Sequence, residues 1–537
     1  MPPDEEDQDP PTTPPPPDPS TRSASLPSSL PTSARRTRFN SSTTTTRSNS
    51  PEPLATPSLS DTYGQLKKNL SFSRLRDLEV REFSQHVYRR GARTDRRRYA
   101  PKSDDEVLAH ALRGGLRSLI LGCSLRACVN VVIVLLRLTR KPGLPFPLIL
   151  RALFGTDTLR FGGMLGLFSF LYKWTLHTLR LYNFGLSGPG REETWHAAVA
   201  GAVSGLAVWA EKPSRRVTIG QQLFVRGLQS HYNTLKSAGK VNVKNVSVIV
   251  FGLSCAQIMY SWLMAPEALP SGYRRWITNA SRVAEPCLPI NITTARYGVF
   301  DPDVARRAIT WEKGPATVRN AGLIEAYARR GEQGDFGPPF APCEVVHPWM
   351  DSCRWNAVDR WQGVFRWIAP VYLGLHVIPP IVLRRKVFLA DPRSALLKSL
   401  LGTLRSCSFL ATFVTLFQGL VCCQRNLYIA LHGKLPPILE KILWHKAYYW
   451  FCGLSTCFAL FIEEKKRRRE LALYVLPKGL EAAWSNLRRR EWVPFVPGGE
   501  IMLTSLGLSL VMRSYQHEPQ NLSGLVRHLL YQFIGHG

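Results

Sequence analysis

The residues best suited to chemistry sit in one polar stretch. Three residues separate Cys343 from His347, and five separate His347 from Cys353. Thiolate and imidazole are favoured ligands of zinc, which takes four of them in a tetrahedron. Cys287, further back in the same stretch, is the fourth candidate. The spacing is not that of a standard finger, and the stretch is rich in proline. Three readings stand for these thiols: free side chains with a packing role, which is preferred, a disulfide, and a metal site. His347 and Asp351 also invite comparison with acyltransferase His–Asp pairs, but those have a longer gap and a phosphate-binding partner motif. The chain has no P-loop, GxSxG elbow or HExxH helix. The expectation is a protein that is not an enzyme, with no catalytic residue and no cofactor.

The elements around that stretch are apolar. The other eight cysteines lie in or beside apolar runs, where a thiol behaves as a small hydrophobe. Eight such runs stand out, at 115–138, 162–179, 194–210, 246–264, 361–383, 407–422, 447–462 and 500–512. A spanning helix needs about 20 mostly apolar residues, and about 17 are tolerated. Arg126 and Lys173 fall inside runs, and a charge at the bilayer centre costs roughly 2.5–3.5 kcal/mol on insertion scales. Such helices must pack together or let long side chains reach the headgroups. Pro379-Pro380 predicts a kink or break in the fifth run.

Residues 1–60 contain 36 Pro, Ser or Thr. So polar a stretch cannot bury enough surface to offset its ordering entropy, and disorder is expected over 1–100. The start, MPPDEEDQD, is not a secretory signal. The net charge is +30. No zinc-finger, homeodomain or RNP pattern accompanies the arginine clusters, so nucleic acid is not an expected partner. Anionic headgroups against the basic linkers are.

The chain resembles itself. Aligned without gaps, 201–236 and 453–488 share eight identities in 36 positions. They pair Gly201 with Gly453, Glu211 with Glu463, Arg215 with Arg467, Arg216 with Arg468 and Gly227 with Gly479. In each copy a Glu precedes an Arg by one turn, the favourable order for a helical ion pair. Next comes an amphipathic run suited to lying on headgroups. Gly201/Gly205 and Gly162/Gly166 form GxxxG patterns that admit close helix packing, expected within each bundle. Four spans per copy is an even number, so the two copies should enter the membrane from the same side as parallel repeats.

The stretch IEEKKRRRELALYVLPKGLE at 462–481, preceded by GLSTCFAL, resembles the signature of the transmembrane protein 135 family. AGAVSGLAVWAEKPSRR at 200–216 and the Cys-rich segment PCEVVHPWMDSC at 342–353 are similar to elements of that family. The resemblance implies a peroxisomal membrane protein, with a mitochondrial membrane as the alternative. It implies roles in lipid and fatty-acid homeostasis and in organelle dynamics, and it supplies no catalytic residues. The family's distant similarity to mitochondrial preprotein translocases does not carry an import role here, because REETWHAAVAGAVSG at 191–205 only approximates their motif.

The expected organisation is an all-α integral membrane protein of two parallel four-helix repeats. A disordered region at 1–100 precedes a repeat at 110–265, a polar Cys/His-containing connecting loop at 266–358, a repeat at 359–515 and a tail at 516–537. Expected partners are the lipid bilayer and membrane proteins or a second copy. The alternative function is a solute or lipid transporter with a path between the repeats, for which Arg126, Lys173, His177 and His376 are candidates.

Overall fold

The computed structural model describes residues 103–138, 146–182, 193–312, 314–334, 340–383 and 385–535. The disorder expected over 1–100 lies outside them. Every regular element among the described residues is a helix. Helix α1 (Asp104–Leu138) opens with three acidic residues at the positive end of its dipole. Short α2 (Phe146–Phe154) turns the chain into α3 (Thr156–Leu181), which packs back along α1. Helix α4 (Thr194–Ser204) runs on without a break as a 3₁₀ turn, Gly205–Ala210. Helix α5 (Pro213–Ser237) starts on a proline, whose missing N–H costs nothing there. Helix α6 is Val246–Met264.

The segment expected as a polar loop, 266–358, is mostly helical. It contains α7 (Ser271–Ser281), α8 (Cys287–Tyr297), α9 (Pro302–Ile309), α10 (Val318–Glu332) and α11 (Cys343–Val346). Small and branched residues at helical spacing, such as Ala305 with Ala308 and Ile324 with Ala328, are fully buried. Ile290, Phe300, Ala305, Ile324, Ala341 and Val345 make a separate small core.

The second half contains α12 (Cys353–Leu383), α13 (Arg385–Ala390), α14 (Pro392–Leu431) and α15 (Pro437–Trp444). Helix α12 continues through Pro379-Pro380 to Leu383, so the chain stays helical where the kink or break was expected. Helix α16 (Tyr448–Ser455) again runs on as a 3₁₀ turn, Thr456–Ile462. Helices α17 (Lys465–Arg489), α18 (Gly499–His517) and α19 (Gly524–Ile534) complete the chain.

Element bounds recur. Helices α5 and α17 are both 25 residues long and start 252 residues apart. Helices α6 and α18 are both 19 residues long and start 253 apart. The same 253 separates the 3₁₀ turns at Pro266 and Pro519, and the 11-residue helices α7 and α19. The correspondence therefore extends through most of the expected tail, 516–537.

Among the described residues, four helices are long and apolar enough to cross a membrane: α1 over Asp104–Val134, α6, α12 over Cys353–Ile381, and α14. The runs at 162–179, 194–210, 447–462 and 500–512 do not meet both conditions. Their 3₁₀ extensions bear on length. A 3₁₀ turn rises about 2.0 Å per residue against about 1.5 Å for an α-helix, so Thr194–Ala210 reaches about 28 Å, near the roughly 30 Å of a hydrocarbon core.

Helices α6 and α18, at the ends of the two similar segments, each pack against the opposite segment. Helix α18 lies against α4 and α5, and α6 lies against α16 and α17. Glycines set the approach. A Cβ on Gly201 would fall 2.6 Å from the Leu508 carbonyl oxygen, and one on Gly205 would fall 2.4 Å from Ser505 Cα. The counterpart crossing uses Gly453 against Ala256 and Gly479 against Ser254, each at 2.8 Å. The GxxxG at Gly201 thus joins the two copies, whereas Gly162 and Gly166 pack within one, against Leu119 of α1. The short last helices follow the exchange. The Phe533 carbonyl of α19 accepts from Ser118 of α1, and the Ser281 carbonyl of α7 accepts from Gln418 of α14.

The same pairs give directions. Gly220 meets Thr504, Gly227 meets Gly507 and Thr234 donates to Glu518, so α5 runs parallel to α18. Ser254 meets Gly479 and Asn486 donates to Ser261, so α6 runs parallel to α17. Helices α4 and α16 cross their partners antiparallel. Only 238–245, with a turn at each end, joins α5 to α6, so the chain reverses between them. Helix α4 and its counterpart α16 therefore point in opposite directions. This corrects the parallel expectation. The amphipathic runs expected to lie on headgroups are instead long helices, α5 packed along α18 and α17 along α6.

Candidate functional site

Two polar nests sit where the 3₁₀ turns give way to α5 and α17. In the first, the Asp157 carboxylate accepts from Arg126 at 2.6 Å and pairs with Arg215 at 2.8 Å and Lys212 at 3.2 Å. Glu211 is buried, with Arg215 at 3.5 Å. Arg216 donates from Nε to the Glu211 carbonyl and from Nη2 to the Trp209 carbonyl, at 2.8 and 2.7 Å. These are carbonyls a helix end leaves unpaired, and a cation suits that end of the dipole. Burial of Asp157 opposes ionisation, but hydrogen bonds from Arg126, Arg215 and Lys212 outweigh it and hold its carboxyl well below the usual range.

The second nest repeats this plan with substitutions. Arg468 donates to the Glu463 and Phe461 carbonyls, both at 2.8 Å. Buried Glu463 accepts from Ser406 at 2.6 Å and has Arg467 at 3.5 Å. Arg467 also bonds His376 Nε2 at 2.7 Å and Ser406. Ser406 thus takes the place of Asp157, and His376 that of Arg126. The ten residues singled out by the internal resemblance separate into two roles. Gly201, Gly227, Gly453 and Gly479 set helix approach, while Glu211, Arg215, Arg216, Glu463, Arg467 and Arg468 build the nests.

The candidate transport residues do not converge. Arg126 and His376 belong to different nests. Lys173 lies along Gly114, and His177 is buried edge-on to His110 at 5.1 Å, both toward the other end of α1 from Arg126.

The Cys/His candidates are brought together, with one exchange of partner. Ligand atoms of Cys343, His347, Cys353 and Cys422 all lie within 4.8 Å of one another. Cys343, His347 and Cys422 are buried, and Cys353 is half-buried. Cys287 instead packs with Ala284 and Ala308 in a separate cluster. Helix α11 supplies Cys343, the start of α12 supplies Cys353, and α14 supplies Cys422 from inside an apolar run. Sequence reasoning assigned that thiol to packing. The signal that could have found it is local, since Asn426 follows Cys422 by one turn and reaches both its carbonyl and the Cys353 sulfur.

No family model matches the chain, and no solved structure matches it.

Proposed function

We propose that the chain is a multi-pass integral membrane protein with a duplicated core, a non-enzymatic member of the transmembrane protein 135 family acting in lipid homeostasis and organelle dynamics. The observation that carries the membrane reading is the outward face of α1 and α12. Only 11% of the apolar window of each is buried. Over Asp104–Val134, helix α1 exposes ten large apolar side chains, among them Leu112, Leu116, Ile120 and Val132. At roughly 1 kcal/mol for each half-exposed side chain, leaving this one helix in water forgoes about 10 kcal/mol, as much as the whole stability of an ordinary domain. A lipid environment removes that cost. The recurring bounds, the two nests and the reciprocal glycine crossings support duplication with the copies inverted about an axis in the membrane plane. Partners under this reading are the bilayer, anionic headgroups at the basic ends, and membrane proteins or a second copy. The organelle is the peroxisome, with the mitochondrion as the alternative, on the resemblance alone.

A transporter is the second reading, favoured by one observation. Polar helices α5 and α17 meet between the halves at Arg226 and Glu470, 3.4 Å apart. Helix α17 lies along α6, one of the four sufficiently apolar helices, and so shares its depth. The test of the first reading is extraction with alkaline carbonate, followed by co-localisation with peroxisomal and mitochondrial markers. Retention in the pellet and overlap with the peroxisomal marker are expected; release into the supernatant overturns the membrane reading. Flux through reconstituted vesicles that falls on Arg226→Ala would move the assignment to transport.

A further inference from the structure

We propose that Cys343, His347, Cys353 and Cys422 form a structural zinc site that fastens the helical connecting segment to α14. The donor set, three thiols and one imidazole, is one that closed zinc sites use. Four zinc ligands at about 2.0–2.3 Å stand about 3.4–3.8 Å from one another. The His347 Nε2 to Cys353 Sγ distance is already 3.4 Å, and the widest separation in the set is within 4.8 Å. A contraction of about 1 Å by side-chain rotation completes the tetrahedron.

The surroundings fit an ion better than they fit four separate side chains. His347 Nδ1 lies 2.8 Å from the Met350 carbonyl, which can only accept, so that nitrogen carries the proton. The lone pair on Nε2 then points into the cluster, the arrangement that orients a metal-bound histidine. Asn426 donates to Cys353 Sγ at 3.4 Å, a further hydrogen bond on a ligand. Three thiolates around a divalent ion leave one net negative charge. Two buried guanidiniums stand ready for it: Arg425 and Arg360 line the same small cavity as His347 and Cys422. Arg425 gives one nitrogen to Asn291 at 2.5 Å, while its Nε and Nη1 have no hydrogen-bond partner among the described residues. A buried cation so placed is offset by an anionic centre beside it. The site links α11 and the start of α12 to α14 across a sequence gap of about seventy residues, and it stands whether or not the membrane reading does.

The test uses the full chain purified in detergent without chelator from zinc-supplemented cells. Elemental analysis should give about one zinc per chain, and absorption at the zinc edge should show three sulfurs and one nitrogen. Cys422→Ser and His347→Ala should each lower the content at least fivefold. Cys287→Ser should leave it unchanged, which separates this site from the one spacing alone would choose. A chelator should raise the thiols titrated in native protein by three. Wild-type protein with less than about a fifth of an equivalent of zinc overturns the proposal. So does a disulfide between any two of the three cysteines in non-reducing peptide mapping, a read-out that does not depend on how the variants fold.

Discussion

Replacing Gly205 by alanine should separate α4 from α18 and destabilise the fold. The added Cβ would stand 2.4 Å from Ser505 Cα, 2.5 Å from its Oγ and 2.7 Å from its nitrogen. Carbon atoms pack at about 3.5–4.0 Å, so the helices must part by about 1 Å. Two of the three obstructing atoms are backbone and cannot rotate away. Overpacking of this kind costs about 1–3 kcal/mol, and the better helix propensity of alanine returns at most about 1. The net expectation is a loss of about 1–2 kcal/mol, a factor of about 5–30 in the folding equilibrium. Gly163→Ala is the matched control, because a Cβ there meets nothing within 4 Å. It should be neutral or stabilising by up to about 1 kcal/mol. Denaturant titration in mild detergent, followed by helical circular dichroism, reads both. If Gly205→Ala is as stable as Gly163→Ala, α18 does not pack where the exchange of last spans requires.

The nests supply further expectations. Arg216→Ala and Arg468→Ala each remove two carbonyl caps and should cost about 1–3 kcal/mol apiece, adding in the double variant because the sites are independent; the same titration checks this. Glu463→Gln should destabilise more than Glu211→Gln, because Arg215 keeps Asp157 whereas Arg467 keeps only Ser406 and His376; thermal melts in detergent rank the two. Asp157 has a depressed folded pKa, so its contribution is present above the usual carboxylate value of about 4 and is lost as pH falls through the lower folded value. Asp157→Asn should therefore be less stable than wild type near pH 7 and lose less on acidification below about pH 4; parallel melts across that range decide it.

Much of this was legible in residues. Eight identities in 36 located the pairs Gly201–Gly453 and Gly227–Gly479, because a position that admits only a hydrogen keeps glycine in both copies. They also located Glu211–Glu463 and Arg216–Arg468, because a helix end buried beside a neighbour needs its carbonyls capped. The partners of those glycines were not legible. GxxxG states that a helix is approached, not by which one, and within-bundle packing was the nearer guess. Direction failed for a related reason. Helices α5 and α17 carry enough polar residues to resemble surface helices, and only the fold shows them packed lengthwise along α18 and α6. Cys422 was missed because an apolar run makes a thiol look like a small hydrophobe, and only the fold brings α11 beside it.

The sidedness of the connecting segment tests the account most directly. If α5 and α17 cross the membrane beside α18 and α6, as the proposed reading has it, each half makes five passes; the connecting segment then lies on the opposite face from the start of α1 and the end of α18, and insertions after Leu235 and Leu487 lie on opposite faces. Single epitope tags probed with a membrane-impermeant antibody, in intact and permeabilised organelles, read each position with the native cysteines in place. The account predicts that tags after Leu235 and at Ser103, just before α1, react together, and that tags after Leu487 and in the connecting segment react only from the other side. Labelling of all four from one face would contradict it.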